Sequence, residues 1–489
     1  MSARPRLGLA TLARCPPEAQ PPVDPRELRV RIVHLGLGAF HRAHQAVFTE
    51  QAVAVAGGAW GICGVAPRRR AAVERLAPQD GLYAVLERGP REDRVRVVAT
   101  VREALAARDA PDCVLARIAD PATSVVTLTV TEDGYPRDPS TGRLREDDEL
   151  AADLAGDAPP RTVLGLLVRG LETRMGAGEA GPISVVSCDN LPRNGVVLAG
   201  LVDDFCARLP ARAGERLGEW VSANVAFPST VVDRIVPATT DADRADVARA
   251  LGVDDEAAVV GEPFASWVVE DAFAAERPAW ERAGALLVDD VSPHEALKLR
   301  VLNGTHLLLA YAGLLAGLQT VDEAVGEAWL GEAARRFVDD MRPTLSPAPG
   351  VEVDGYVEAL FERWANPRIG HRLEQIASDG SQKLAVRLNA PAAERLADGA
   401  QPRWIALAFA AWAENVARAA AGEREPLADP RAVELGEAAA GAHEPRALAR
   451  AMLGAVRAPE ALVEPVGDWL ERLRADGVPD AVRGALREG

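Results

Sequence analysis

The fold is decided by residues 29–45, which read RVRIVHLGLGAFHRAHQ. The apolar run predicts a short buried strand, the GLG sequence predicts a tight turn, and the residues that follow predict a helix. In this order the first glycine permits the turn, and the second lets the backbone approach a pyrophosphate group. His41 stands where such a fingerprint usually has a third glycine, so the match is incomplete. The residues expected to contact a dinucleotide are Gly36, Leu37, Gly38, Ala39 and Phe40.

Short β-branched runs alternate with helical segments through the N-terminal half of the chain. This alternation predicts an α/β fold, a Rossmann-like and mostly parallel sheet with helices on both faces. Ligands of such sheets bind beyond the carboxyl ends of the strands, where residues 134–135 and 189–190 are predicted to lie. The predicted strands are 29–35, 60–65, 82–87, 95–101, 124–131, 183–187 and 224–226, and the predicted helices are 41–56, 111–119, 161–176 and 193–208.

From about residue 290 the pattern changes to helical periodicity, with long stretches of Ala, Leu, Arg and Glu. We therefore expect a flexible N-terminal extension over 1–27, a Rossmann-like dinucleotide-binding domain over 28–290, and an all-helical substrate-binding and catalytic domain over 291–489. The proline-rich start lacks the apolar segment of a signal peptide. Because no low-complexity linker marks the boundary, we expect it to be packed, with the active site in the cleft between the domains.

The composition narrows the classes of partner. The 489 residues carry a net charge of −17 that no basic run offsets, which argues against a nucleic-acid partner. The five cysteines are scattered and lack metal-ligand spacing, which is typical of reduced thiols in a cytoplasmic protein. The most apolar helix is interrupted by Lys298 and Arg300, so we expect no membrane span. The expected partner is a small molecule.

A second segment, residues 293–311, reads PHEALKLRVLNGTHLLLAY and predicts a mostly apolar, buried helix. Burying a lysine is costly unless the amine is paired or its pKa falls. At about 100° per residue, Lys298, Asn303 and His306 fall within an arc of roughly 140°. They could act together as a proton acceptor, an oxygen-binding amide and an orienting imidazole. Alternatively, Lys298 extends to the surface while Asn303 and His306 bond to each other in the core.

Eight motifs follow one another along the chain: GLGAFHRAHQAVFTE (36–50), WGICGV (60–65), LTVTEDGY (128–135), SCDNLPRNG (187–195), FPSTVVDRIVP (227–237), EPFASWVVED (262–271), KLRVLNGTH (298–306) and IASDGSQKL (376–384). In this order they resemble the polyol-specific long-chain dehydrogenases, the mannitol dehydrogenase family. Its members include mannitol and arabinitol dehydrogenases and hexuronate reductases. The resemblance implies an NAD(P)-dependent oxidoreductase that interconverts a secondary alcohol and a ketone on an open-chain sugar acid or polyol. It also implies a monomer or a weak homo-oligomer.

Oxidation of a secondary alcohol requires proton removal, hydride transfer and stabilisation of the developing alkoxide. The sequence contains no Cys/His cluster with zinc spacing, so we expect side chains alone to serve. The resemblance implies that Lys298 is the general acid/base and that Asn190 and Asn303 bind the reacting oxygen. It also implies that His306 orients the substrate. Asn190 could instead be a turn former, since asparagine often follows a strand.

The resemblance implies substrate-binding roles for two further residues, Asp233 and Lys383. Asp233 and Arg234 are charges flanked by apolar residues, and they could instead form a buried ion pair that joins a strand to a helix. Lys383 could instead be a lysine of a surface loop. We favour the substrate-binding role for both residues.

The residues after the second strand bear on the choice of cofactor. Rossmann units that use NAD normally place an acidic residue there, whereas this chain continues with Pro67, Arg68, Arg69 and Arg70. Arg68 and Arg69 could receive the 2′-phosphate of NADP, or they could lie at a solvated helix start. The resemblance implies NAD, and NADP is the alternative.

A departure in the C-terminal domain bears on the substrate. Gln375 stands where mannitol-oxidising members carry an arginine, and the preceding Gly370-His371-Arg372 is closer to the hexuronate reductases. Arg372 could bind a sugar carboxylate in a bidentate manner. We therefore rank D-mannonate/D-fructuronate narrowly ahead of D-mannitol/D-fructose, with altronate/tagaturonate and arabinitol/xylulose behind. The competing interpretation is a sugar or dinucleotide sensor without catalysis.

Overall fold

The chain divides into two units, Met1–Val291 (unit 1) and Ser292–Gly489 (unit 2). The structure is a computed structural model, and it describes residues 4–130, 134–138 and 141–488. Residues 131–133 of the motif LTVTEDGY, which include the end of the predicted strand 124–131, lie outside the described residues. Residues 1–3 of the predicted N-terminal extension also lie outside them.

Twelve strands among the described residues build the sheets of unit 1. They are β1 (Arg29–Leu35), β2 (Trp60–Ala66), β3 (Tyr83–Arg88), β4 (Asp93–Val98), β5 (Val101–Ala106), β6 (Val125–Leu128), β7 (Ile183–Ser187), β8 (Val225–Ala226), β9 (Thr230–Asp233), β10 (Val259–Gly261), β11 (Ser266–Glu270) and β12 (Leu286–Val288). Except for Val30 at the start of β1, the apolar β-branched residues of β1, β2, β6 and β7 are almost fully buried, because helices cover both faces of the sheet that they form.

The main sheet has six parallel strands in the order β5-β2-β1-β6-β7-β8. Counted within the sheet, this is the 3-2-1-4-5-6 order of dinucleotide-binding folds, and it confirms the predicted Rossmann-like class. The strand order reverses beside β1, which is where such folds bind ligands. Leu35 lies beside both Val65 and Leu128, so the turns after β1, β2 and β6 meet at one edge of the sheet.

Two small sheets, β10-β3-β4 and β12-β11-β9, lie outside the mostly parallel sheet that the sequence predicts. The segment predicted as one strand over 95–101 is two strands, β4 and β5. The short turn at 89–92 returns β4 antiparallel to β3, with Leu86 beside Val95, because two runs joined by so short a turn pair as a hairpin. β5 then joins the main sheet beside β2.

The helices of unit 1 follow the predicted alternation with one break. The helix predicted over 41–56 is divided at His44, whose backbone angles of φ −126° and ψ −89° are not helical. The helices are α1 (Ala39–Ala43), α2 (Gln45–Ala56), α3 (Ala71–Leu76), α4 (Pro111–Ala119), α5 (Asp148–Ala155), α6 (Val163–Ala177), α7 (Asn194–Arg208), α8 (Ala211–Asn224) and α9 (Asp241–Leu251), with 3-10 turns at Leu12–Arg14, Pro17–Ala19, Ala77–Gln79 and Trp280–Ala283.

The N-terminal segment is not the flexible extension that the sequence predicts. Leu7 is fully buried, and it packs in one apolar cluster with residues of β3, β4, α9 and β10. Its backbone is also bonded: Leu7 N donates to Asp254 O (2.8 Å), and Asp254 N donates to Pro5 O (2.9 Å). The prolines that suggested flexibility lie in 3-10 turns and extended stretches that place Cys15 and Ala19 in the same cluster.

Unit 2 is helical, as predicted. Its centre is the pair of helices α11 (Gly304–Leu315) and α18 (Arg403–Ala420), and Asn415 Nδ2 of α18 donates to Tyr311 O of α11 (2.9 Å). Within the described residues, no helix combines the length and the apolar character needed to cross a bilayer. The elements are α10 (Ser292–Ala296), a π-helical segment (Leu297–Asn303), α11 (Gly304–Leu315), α12 (Val321–Gly326), α13 (Ala328–Met341), α14 (Val353–Trp364), α15 (Leu373–Ala377), α16 (Gly380–Arg387), α17 (Asn389–Ala397), α18 (Arg403–Ala420), α19 (Ala432–Ala440), α20 (Pro445–Ala455), α21 (Val463–Asp476) and α22 (Val478–Glu488), with 3-10 turns at Arg342–Thr344 and Glu460–Leu462.

The packing of the N-terminal segment predicts that Leu7→Ala destabilises unit 1. Removing a fully buried leucine side chain should lower the free energy of unfolding of unit 1 by about 2–5 kcal/mol, as measured by urea denaturation. Leu9→Ala is the matched control, because Leu9 is only partly buried against the same cluster, and its loss should be less than half as large. Equal stability of Leu7→Ala and the wild type would show that the segment detaches in solution.

Candidate functional site

The turn after β1 is built so tightly that Gly36 must be glycine. Its φ is +112°, and a Cβ there would lie 2.1 Å from the Thr129 carbonyl oxygen. Gly38 is different, since a Cβ there would meet nothing closer than the Gly36 oxygen at 3.7 Å. The protein itself therefore does not require a glycine at 38, and close approach of a ligand to the backbone is the remaining reason for one. The turn fits a dinucleotide pyrophosphate.

His34, at the end of β1, stabilises this turn through hydrogen bonds of its ring. Its Nε2 lies 2.9 Å from Gly36 O and 2.9 Å from Thr129 Oγ1, and its Nδ1 lies 2.7 Å from Thr127 Oγ1. The ring of His41 is stacked on it with 3.4 Å between centroids. Burial lowers the pKa of His34 to about 3, so the ring is neutral at physiological pH. Sequence reasoning did not identify this role of His34.

The other predicted cofactor residues lie at the same sheet edge. Ala39 and Phe40 begin α1 directly after the turn. Arg68 and Arg69 are exposed and directly follow β2, the neighbour of β1. Arg70 forms an ion pair with Asp109.

Asn190 follows β7 and is exposed, while the preceding Asp189 is buried. Asp189 accepts hydrogen bonds from Val130 N (2.8 Å) and the Tyr135 hydroxyl (2.6 Å), so it joins the ends of β6 and β7. Asn194 Nδ2 donates to Asp189 O (3.0 Å) and fixes the same loop. The aspartate of the SCDN motif thus has a structural role, and the loop presents Asn190 at the carboxyl end of a parallel strand.

Arg234 forms a buried ion pair, but its acidic partner is Glu87 and not the adjacent Asp233. Arg234 is buried, and its Nη2 lies 2.9 Å from Glu87 Oε1 on β3. Its guanidinium also donates to the carbonyl oxygens of Ala43 and Glu262. Arg234 therefore joins β9 to α1, which confirms the strand-to-helix connection but not the pairing. Asp233 is half-buried at the end of β9.

In unit 2, the helix predicted over 293–311 contains the π-helical segment, which bears on the geometry of the site. In a π-helix the backbone hydrogen bonds join residues five apart rather than four, and such segments occur frequently at functional sites. Lys298 and Asn303 are five residues apart inside it, so they lie on the same face, and His306 follows Asn303 by one turn of α11. The exposed fractions of the three residues are 7%, 8% and 6%.

The structure contradicts the alternative interpretation of Lys298, Asn303 and His306 that the sequence left open. Lys298 does not extend to the surface, and Asn303 and His306 do not bond to each other. Among the described residues, neither Asn303 Oδ1 nor His306 Nε2 has a hydrogen-bond partner. Because buried polar atoms are nearly always bonded, the two atoms are candidates for contacts with a polar ligand.

Two aromatic side chains that the sequence did not identify contact His306. The ring centroid of Trp364 lies 5.0 Å from that of His306, and the centroid of His371 lies 5.5 Å from it. Burial, followed by the charges of His371 and nearby cations, holds the pKa of His306 well below its usual value. The imidazole of His306 is thus neutral at physiological pH.

Arg372 does not share the position of its neighbour His371. Its side chain is exposed, and it donates to Glu374 Oε2 (3.1 Å) and Gln319 Oε1 (3.4 Å). Lys383 is more enclosed, because its Nζ donates to Ile376 O (3.2 Å) and Ser378 Oγ (3.1 Å). The structure brings His306 together with His371 and leaves Arg372 at the surface.

Lys298 and Lys383 are the only two lysines of the sequence, among 55 lysine and arginine residues. Arginine remains protonated at any physiological pH, whereas a lysine amine can release its proton. Lysine is thus confined to the two candidate positions, and among the lysine and arginine side chains only these two can exchange a proton readily.

Within the described residues, no group of three or more His, Cys, Asp or Glu side chains is placed to hold a metal ion. The cysteines Cys15, Cys63, Cys113, Cys188 and Cys206 are all free thiols.

The order of the parallel sheet, the glycine turn and the buried lysine of the helical unit define an oxidoreductase of the dinucleotide-binding class. The chain belongs to the mannitol dehydrogenase family. The Mannitol dehydrogenase Rossmann domain matches residues 30–282, and the Mannitol dehydrogenase C-terminal domain matches residues 290–473.

Individual relatives agree with this family. The D-mannonate oxidoreductase of Escherichia coli (strain K12) is 40% identical over 406 residues, which cover 81% of this chain and 82% of the relative. The mannitol 2-dehydrogenase of Pyrenophora tritici-repentis (strain Pt-1C-BFP) is 38% identical over 417 residues, which cover 83% and 72%. The Pseudomonas fluorescens mannitol 2-dehydrogenase, solved as a ternary complex with NAD and D-mannitol, superposes with a TM-score of 0.89 at 34% identity, covering 99% of this chain and 100% of that one.

The burial of His34 predicts a pH dependence of stability. The unfolded chain takes up a proton on this histidine near pH 6.5, whereas the folded chain does so only near pH 3. The stabilising effect of the neutral ring should therefore be lost as the pH falls below 6.5, by up to about 1.4 kcal/mol per pH unit. Urea denaturation at pH 7.5, 6.5 and 5.5 measures it, and His34→Gln should show a shallower decline.

His443→Gln is the control for this comparison, since His443 is exposed. It should retain the wild-type decline. If His34→Gln also retained the full decline, His34 would not be the group that titrates.

Proposed function

We propose that this chain is an NAD-dependent oxidoreductase that interconverts a secondary alcohol and a ketone on an open-chain sugar acid or polyol. The observation that supports this most directly is the buried face of Lys298, Asn303 and His306, on which Asn303 Oδ1 and His306 Nε2 have no hydrogen-bond partner among the described residues. Membership of the mannitol dehydrogenase family supports the reaction type. The turn at Gly36–Gly38 supports the dinucleotide.

In the oxidation direction, the Lys298 amine accepts the hydroxyl proton of the substrate. The amide groups of Asn190 and Asn303 donate hydrogen bonds to the oxygen as negative charge develops on it. A bound nicotinamide dinucleotide supplies the acceptor for the hydride. His306 orients a neighbouring hydroxyl, and its low pKa keeps it neutral, so it adds no positive charge beside the lysine.

Asp233 and Lys383 complete the substrate contacts in this proposal. Lys383 is held by Ile376 O and Ser378 Oγ, so its ammonium has a defined position from which to donate to a substrate oxygen. Asp233 lies at the end of a strand, where its carboxylate accepts from substrate hydroxyls. The proposed mechanism needs no metal ion, because the amides of Asn190 and Asn303 stabilise the negative charge on the reacting oxygen.

Among substrates we propose D-mannonate/D-fructuronate, with D-mannitol/D-fructose as the second candidate. Gln375 and the relationship to D-mannonate oxidoreductase favour the sugar acid. The relationship to the mannitol 2-dehydrogenases favours the polyol. For the cofactor, Arg68 and Arg69 make NADP the alternative to NAD. Initial rates at alkaline pH with each nucleotide, on mannonate and mannitol in parallel, test the reaction, the cofactor and the substrate together.

We expect Lys298→Ala to lower kcat by about 10²-fold or more at neutral pH, because it removes the proton acceptor. Lys298→Arg is the matched variant: it retains the positive charge but cannot lose a proton, so it should be equally impaired. Small exogenous amines should partly restore Lys298→Ala only. Near-normal turnover of either variant would remove the proposed mechanism.

Dialysis against a strong chelator should leave the activity unchanged, because oxygen stabilisation is assigned to Asn190 and Asn303. Initial rates before and after dialysis, with and without added zinc, measure this. An activity that disappears on dialysis and returns with zinc would contradict the assignment.

A further inference from the structure

The rings of Trp364 and His371 both contact the ring of His306, so the three rings form a cluster in unit 2. Within the described part of the chain, His306 Nε2, Trp364 Nε1 and His371 Nδ1 are all buried atoms without a hydrogen-bond partner. Trp364 and His306 are themselves only 2% and 6% exposed. Buried polar atoms are usually hydrogen-bonded, and three unbonded atoms in contacting rings favour a polar ligand that supplies the missing partners.

Four basic side chains act electrostatically on the two histidines of this cluster, and the Nζ of one of them, Lys383, lies 3.7 Å from Asp379 Oδ2. Burial, together with neighbouring cations, lowers the pKa of His306 strongly and that of His371 to about 4. Both imidazoles are therefore neutral at physiological pH, each with one N–H donor, and the basic side chains near them favour an anionic ligand over an uncharged one. The cations that act on the two rings are Lys298, Arg363, Arg387 and Lys383.

The backbone explains why His371, and not Arg372, faces the cluster. Arg372 has extended angles of φ −75° and ψ 134°, and its backbone bridges to Thr320. Successive side chains of extended backbone point to opposite sides. Because His371 contacts His306, Arg372 is directed towards solvent. Its guanidinium donates to the Glu374 carboxylate there.

We propose that His371 and Trp364 are specificity residues, whose ring N–H groups bind the carboxylate of a sugar-acid substrate at the end remote from the reacting carbon. This inference rests on the proposed function, and it selects the sugar acid over the polyol. A carboxylate offers acceptor oxygens to both rings and complements the surrounding cations, whereas a hydroxymethyl group offers one oxygen and no charge.

The test uses two conservative variants of the full chain. His371→Phe and Trp364→Phe each retain an aromatic ring in the cluster and remove the N–H group. We expect kcat/KM for D-fructuronate to fall about 10- to 100-fold, mostly through KM, while kcat/KM for D-fructose changes less than about 3-fold. The second variant keeps the test valid if the first does not fold, as judged by near-UV circular dichroism and thermal melting.

His443→Phe is the matched control, because it makes the same substitution at an exposed histidine of unit 2. It should leave both activities at the wild-type level. Arg372→Ala tests the competing assignment, in which Arg372 binds the substrate carboxylate as the sequence analysis suggested. A selective loss of fructuronate reduction in Arg372→Ala, with none in the two ring variants, would overturn the proposal.

The remaining outcomes separate this inference from the proposed function. Equal losses on both ketones in the ring variants would show that the cluster only shapes the site, which overturns the inference. A wild type that reduces fructose but not fructuronate or tagaturonate would also overturn it and would leave the oxidoreductase function standing. A wild type that acts on none of these sugars or sugar acids would remove the proposed function itself.

Discussion

The burial of the Lys298 amine in an apolar helix is the constraint from which the geometry of unit 2 follows. In a regular α-helix, residues five apart are separated by about 140° around the axis, which would direct Lys298 and Asn303 to different sides. The wider turn of the π-helical segment reduces this separation and brings the two side chains towards the same side. The return to α-helix at Gly304 needs a small residue, because a Cβ there would lie 3.1 Å from the Phe337 ring and 3.5 Å from Leu388. Local backbone geometry and core packing thus cooperate to hold one polar face inside a hydrophobic core.

Elements with a strong local signal were predictable from the sequence. The strands over 29–35 and 183–187 and the helix over 111–119 have the predicted bounds, since apolar runs between turn residues specify them locally. The division of 95–101 into two strands depends on which neighbour each half pairs with, and this is a long-range property. The order of residues 4–27 likewise depends on a core built by distant strands, which composition does not reveal.

The same distinction applies to the candidate site. Lys298, Asn303 and His306 were predictable, because polar residues stand out within an apolar run. Trp364 and His371 were not, since they join His306 only through tertiary packing. The π-helical segment was also missed, because its sequence reads as an ordinary helix. Arginine beside histidine suggested a carboxylate contact at residues 371–372, and the extended backbone places His371, and not Arg372, against His306.

The confinement of lysine to two positions gives this protein an unusual spectroscopic property. Isotopic labelling of lysine alone would place only two ε-amines, those of Lys298 and Lys383, in the nuclear magnetic resonance spectrum of a 489-residue chain. Their chemical shifts followed against pH would report the proton affinity of each amine without substitution of any residue. The buried amine of the π-helical segment and the enclosed amine of α16 can thus be observed individually, in a molecule whose size would otherwise make such assignments difficult.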